Sequence, residues 1–229
     1  MNTRVRTVCA VLTTSALAGL GALGTPPSAT AAPAAPTAKA GPVSRTVDID
    51  GDRRADKVTV SLYNIRKKHL TFMVTVKTAR TTTRMPVVVG NENVGLRPAD
   101  VLVGTAPADG VAGNEIMLEQ GGGVGDFGYL RSYTWRGGRL VAQNAPDGDR
   151  AWGVLFPPFG VDGYAFSTKK GKRYVTQTHL QRSRSGRYYG TATTYVWAGA
   201  WKKQSTKSIS GVKDRDARRI PLWSGIAWR

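Results

Sequence analysis

Asp48, Asp50, Asp52 and Asp56 stand at positions 1, 3, 5 and 9 of a D-x-D-x-D-x-x-x-D run, so four of the fifteen carboxylates of the chain fall within nine residues. Carboxylates at alternate positions of a tight loop, with the backbone carbonyl of Arg54 at position 7, can converge on one point. A hard cation such as Ca²⁺ takes six to eight oxygens in that way. Without a cation, acids this close repel one another and some take up protons. A solvated Asp/Gly turn capping a hairpin would use the same residues, and the spacing alone leaves both readings open. Thr59 stands where an EF-hand would need its bidentate Glu, and the segment leads into an apolar alternation instead of a helix, which argues against an EF-hand.

Other chemistry is sparse. The chain has two histidines, His69 and His179, and neither belongs to an HExxH pair; no G-x-S-x-G nucleophile turn is present either. Glu115 and Glu119 offer carboxyls, but nothing in the spacing sets them across a cleft as glycoside hydrolysis requires. The Gly-rich stretch 120–129 precedes an alternating Tyr129–Trp135 segment and reads as a β-loop, not a phosphate cradle. No catalytic residues are assigned.

The elements that must position these residues are almost all strands. Residues 57–63 alternate with Val58, Val60 and Leu62 on one face, and 70–77 with Leu70, Phe72, Val74 and Val76. Further strands are expected at 85–89, 101–104, 115–119, 129–135, 139–143, 163–168, 173–180, 188–197 and 200–203. Gly137-Gly138 and Gly171 mark hairpins. Only 213–219 has a helical pattern. The fold class is all-β, an antiparallel meander of propeller-blade-like units or a small sandwich.

Two internal echoes suggest the grouping. Asp50-Gly51 and Asp56 match Asp109-Gly110 and Glu115 at an offset of 59, each pair ahead of an apolar strand. Tyr133, Trp135 and Gly137 match Tyr195, Trp197 and Gly199 at an offset of 62. A period near 60 is what repeated antiparallel units would give.

Asp48 to Asp56 followed by Lys57-Val58-Thr59-Val60 resembles the calcium loop and strand of FG-GAP/VCBS-type repeats, common in secreted actinobacterial and adhesion proteins. The resemblance implies Ca²⁺ ligands at Asp48, Asp50, Asp52 and Asp56 and from the carbonyl of Arg54. It departs at Arg53, where the family usually carries Gly for a positive φ; a residue with a side chain costs about 1 kcal/mol or more there. The stretch 109–115 resembles a degenerate copy that has lost its metal. The resemblance is specific over about fifteen residues and looser over 45–120. It does not cover the basic, aromatic-rich part from 121 to 229.

The formal charge is +18, unevenly spread. Residues 32–168 hold 16 basic and 13 acidic residues, whereas 169–229 hold 15 basic residues against Asp214 and Asp216 alone. Such asymmetry points to an anionic partner such as a wall polymer, acidic polysaccharide, extracellular nucleic acid or membrane surface. Lys169, Lys170, Lys172, Arg173, Arg182, Arg184 and Arg187 are the candidate contacts, interleaved with Tyr174, Tyr188, Tyr189, Tyr195, Trp197 and Trp201.

The first residues, MNTRVR, then an apolar run and Ala29-Thr30-Ala31, read as a secretory signal peptide over 1–31. An Ala/Pro-rich linker follows over 32–43, and one domain over 44–229. The single cysteine, Cys9, lies in the leader, so the exported domain forms no disulfide. These readings make a secreted, non-enzymatic Ca²⁺-binding module for binding or adhesion at the cell surface or matrix. The alternatives are a basic wall-polymer or nucleic-acid binder, and, further off, a hydrolase without a recognised motif.

Overall fold

A computed structural model describes residues 41–66, 69–90, 95–122 and 127–229. The expected leader and most of the linker lie outside the described residues. The chain is built from antiparallel meanders. β1 (Val43–Val47), β2 (Asp56–Arg66), β3 (His69–Lys77) and β4 (Thr82–Val89) form one four-stranded sheet in that order.

After a one-turn helix, α1 (Pro98–Val101), come β5 (Leu102–Ala106), β6 (Glu115–Gly122), β7 (Phe127–Arg136) and β8 (Arg139–Gln143), each paired with the one before. β5 and β6 begin 59 residues after β1 and β2, and the intervening loops, 48–55 and 107–114, are equal in length. A third meander follows: β10 (Gly160–Lys169), β11 (Lys172–Arg182), β12 (Tyr188–Trp197) and β13 (Trp201–Val212). β9 (Trp152–Leu155) pairs with both β7 and β10 and joins the second and third meanders into one ten-stranded sheet. The chain ends with α2 (Asp214–Ala217) and β14 (Trp223–Ser224), which runs parallel to β10; Arg229 exchanges backbone hydrogen bonds with Thr105 of β5.

The period-two pattern sets the layering. In β6, Ile116 and Leu118 face the first sheet and pack with Val58, Val60, Phe72, Val74 and Tyr133. Met117, between them, faces the other way and joins Leu130, Trp152, Tyr164, Phe166, Val175 and Tyr195. The middle meander is therefore covered on both faces. Burying each of these large apolar side chains is worth about 1.5–3 kcal/mol. The second core is largely aromatic, with Trp152 edge-on to Tyr164 at 4.9 Å and Tyr164 stacked on Trp223 at 4.9 Å.

The all-β, antiparallel expectation holds. Every expected strand is present, as are the hairpins at Gly137-Gly138 and at Lys170-Gly171, where positive φ angles make the tight turns. Four elements have no counterpart in the sequence reading: β1, β9, β14 and α1. β13 extends nine residues beyond its expected end at 203. Among the described residues no helix is long and apolar enough to cross a membrane.

Candidate metal centre

The acidic run forms the loop between β1 and β2. Its carboxylates organise their own backbone: Asp48 Oδ1 accepts from the Gly51 N–H (2.7 Å) and Oδ2 from the Arg53 N–H (2.9 Å), while Asp50 Oδ1 accepts from Asp52 N–H (3.2 Å). Asp56, the first residue of β2, reaches back across the loop, and its Oδ2 accepts from the N–H groups of Ile49 (2.8 Å) and Asp50 (3.2 Å). Gly51 has φ 81° and Arg53 φ 67°. Arg53 thus adopts the left-handed backbone that its position asks of a glycine, and bears the strain of doing so.

This winding brings Asp48, Asp50 and Asp56 together, with one oxygen from each within 4.8 Å of the others, a cluster that could hold a metal ion. Asp52 stands outside that trio, its Oδ1 accepting from the Arg54 N–H (2.8 Å). Asp56 is 1% exposed, and its Oδ1 is buried without a hydrogen-bond partner. An orphaned buried carboxylate oxygen is costly, and a cation is the partner that would satisfy it. Burial raises the Asp56 pKa, against the two N–H donors that lower it; the charges of Asp50 and Asp52 push it further up. None of the four aspartates forms an ion pair among the described residues. The residues present therefore fit a cation.

The loop between β5 and β6 repeats this frame at the same offset of 59. Glu115 Oε2 accepts from Ala108 N–H (2.7 Å) and Asp109 N–H (3.3 Å), as Asp56 does from Ile49 and Asp50. Asp109 Oδ1 accepts from Val111 N–H (2.8 Å), and Gly110 has φ 78°. Pro107 and Val111 replace Asp48 and Asp52. In this loop the positive charge comes from the protein: Arg136 donates from Nη2 to Asp109 Oδ2, joined by Gln143 Nε2 (2.7 Å), and Thr134 Oγ1 donates to Glu115 Oε1 (2.9 Å). Glu115 is pushed up to about 7, by burial first and by the charge of Asp109 second.

The two loops interlock. Asn114 donates its N–H (3.0 Å) and its side-chain Nδ2 (2.7 Å) to the Asp48 carbonyl. Gly113, with φ 101°, lies so close to the Ile49 carbonyl that no side chain fits, and a Cβ on Gly51 would lie 2.8 Å from the Ala112 carbonyl oxygen. Arg173 clamps the far side: its Nε donates to Ala108 O (3.1 Å), and its guanidinium lies 5.0 Å from the Phe166 ring centre.

The seven basic candidates do not form one patch. Lys169, Lys170 and Lys172 are exposed at the β10–β11 hairpin, whereas Arg182, Arg184 and Arg187 cluster at the other end of β11, about 33 Å away at 3.3 Å per residue. Arg187 donates to Gly211 O (2.9 Å), and Arg173 belongs to the loop clamp just described. His69 opens β3 on the surface. His179 is not isolated: its Nδ1 is 2.6 Å from Asp162 Oδ1, its register partner across β10 and β11. The sequence reading missed Arg136, Gln143, Asn114 and Asp162. Only Asn114 lies inside the matched loop segment; the others arrive by strand pairing or packing, which leaves no local signal. Compared with protein-family models, curated proteins and solved structures, the chain matches none.

Proposed function

We propose that this protein is a secreted, Ca²⁺-stabilised β-repeat module that acts by binding and not by turnover, the first meander with its acidic loop being a unit of FG-GAP/VCBS type. One observation carries the reading: two loops share a backbone frame, and the one that lacks Asp48 and Asp52 equivalents carries Arg136 on its carboxylate. The acidic loop has no such internal cation among the described residues, which leaves its charge for a metal. All-oxygen donors favour Ca²⁺ over softer-ligand metals. Asp48, Asp50 and Asp56 would hold it, with Asp52 and the Arg54 carbonyl completing the shell on the family resemblance.

The test is thermal. Ca²⁺ at 100 times its Kd adds about 2.7 kcal/mol of stability, so the melting temperature rises between EDTA and millimolar Ca²⁺ for the wild type and stays level for Asp50→Ala. A wild-type melting point indifferent to Ca²⁺ overturns the metal reading.

The exposed lysines support a second reading, an anionic polymer as partner: Lys169, Lys170 and Lys172 at one hairpin, with Lys202, Lys203 and Lys207 along the exposed strand β13. Contacts of this kind weaken steeply with salt. Changing Lys169, Lys170 and Lys172 to Gln should bring elution from heparin and from isolated cell walls to lower NaCl, with no change in melting temperature. Unchanged elution would place the contacts elsewhere.

A further inference from the structure

A cavity of about 440 Å³ opens between β7, the β8–β9 loop and the β10–β12 face, and its charge is opposite to that of the chain. Asp147, Asp149 and Asp162 line it, with the rings of Phe127, Tyr129 and Tyr195; no lysine or arginine does, although basic residues outnumber acidic ones 33 to 15. Strand register builds one wall, because Asp162 of β10 pairs with His179 of β11, which pairs with Thr191 of β12.

Asp147 is held by neutral groups. Asp147 Oδ2 accepts from Gln177 Nε2 (2.8 Å) and its Oδ1 from the Asp149 N–H (3.1 Å). Neither Asp147 nor Asp149 forms an ion pair among the described residues. Asp162 is 7% exposed, and its one side-chain hydrogen bond among the described residues joins Oδ1 to His179 Nδ1; Oδ2 makes none. The Tyr164 and Tyr195 hydroxyls, buried beside the cavity, are pushed up first by burial and then by the charge of Asp147, to which Asp162 adds at Tyr164. Phe127 and Tyr129 meet edge to face, 4.4 Å apart at 81°, and Tyr129 is 45% exposed. Aromatic faces beside carboxylates attract cations by both the ring quadrupole and the charge.

We propose that this pocket binds an organic cation, a ligand bearing a primary or substituted ammonium group on a short aliphatic stem. The inference is independent of the metal reading. The volume suits a small molecule or one side chain, so the ammonium could belong to a free amine or to a lysine of a peptide. The surface-wide positive charge would draw polyanions to other faces, and the pocket would select the opposite charge locally.

The experiment titrates the full domain, followed by amide NMR or calorimetry, with cadaverine, tetramethylammonium and the peptide Gly-Lys-Gly. The neutral controls are 1,5-pentanediol and a methyl glucoside. Saturable binding of the ammonium compounds, at least tenfold tighter than of pentanediol, is expected. Cadaverine binding alone marks a free-amine site; equal binding of Gly-Lys-Gly marks a lysine reader. Asp162→Asn and the exposed Asp147→Asn should each weaken binding tenfold or more, and Tyr129→Ala several-fold, with the response of the melting temperature to Ca²⁺ intact. Asp147→Asn is the deciding variant if Asp162→Asn does not fold. No saturable binding of any ammonium compound, binding of pentanediol or the glucoside as tight as of cadaverine, or affinities unchanged by Asp147→Asn would each overturn the proposal.

Discussion

At the scale of single residues, the informative comparison is between Asp56 and Glu115, two buried acids at matched places in matched loops. Both accept two backbone N–H groups through one oxygen. Asp56 keeps its second oxygen without a partner, whereas Glu115 spends its own on Thr134. Glu115 also shares its site with Asp109, which is fully buried and paired with Arg136, and burial first and the neighbouring Asp109 charge second push the Glu115 carboxyl up. Its folded pKa of about 7 lies above the ordinary 4.5. The folded state therefore holds a proton that the unfolded chain has lost, and stability from this group is full below pH 4.5 and drains away as pH rises to 7. In EDTA, denaturant unfolding of the wild type should lose up to about 3 kcal/mol across that window relative to Glu115→Gln, whose profile is flatter. Parallel profiles would show that Glu115 is ionised in the fold at all these pH values. The acidic spacing made the first loop legible in the sequence. Arg136 on Asp109 and His179 on Asp162 were not legible, because these partners are 27 and 17 residues apart and meet only through folding.

Strands were readable where one face is buried and the other is not. β3 alternates cleanly and β2 does so through Val60, since Val58, Val60, Phe72, Val74 and Val76 are buried and their neighbours are exposed or half-buried. Leu62, expected on the same face as Val58 and Val60, is 42% exposed, where the β2–β3 register shifts. β1 is an edge strand in which only Val47 is buried, so its VSRTV sequence carries no period. β13 is exposed along most of its length and reads as polar loop, and β9 has four residues. At this scale the joint between loops is the sensitive point. Gly113→Ala would force a Cβ into the Ile49 carbonyl from a backbone angle that only glycine adopts freely. A loss of about 1–3 kcal/mol is expected in thermal or urea unfolding. Because Ile49 belongs to the acidic loop, the same variant should bind Ca²⁺ more weakly. A stable Gly113→Ala protein with unchanged Ca²⁺ affinity would mean that the loops do not support each other.

Across the whole molecule, three meanders stack so that the middle one is covered by both neighbours, and the β1–β2 and β5–β6 loops, with the Arg173 clamp, meet at one end. The sequence echo at 59 residues corresponds to this arrangement in strand starts and loop hydrogen bonds. The stacking order itself was not legible, because it depends on which face of β6 each neighbour covers. A metal in the acidic loop would brace the loop beside it through the Asp48 carbonyl that Asn114 holds. The most direct measurement is calorimetric titration of the protein with Ca²⁺, read for stoichiometry. The account predicts one site per chain, abolished by Asp50→Ala or Asp56→Asn and retained in Asp109→Asn. No binding, two equivalent sites, or a site that survives Asp50→Ala would contradict it.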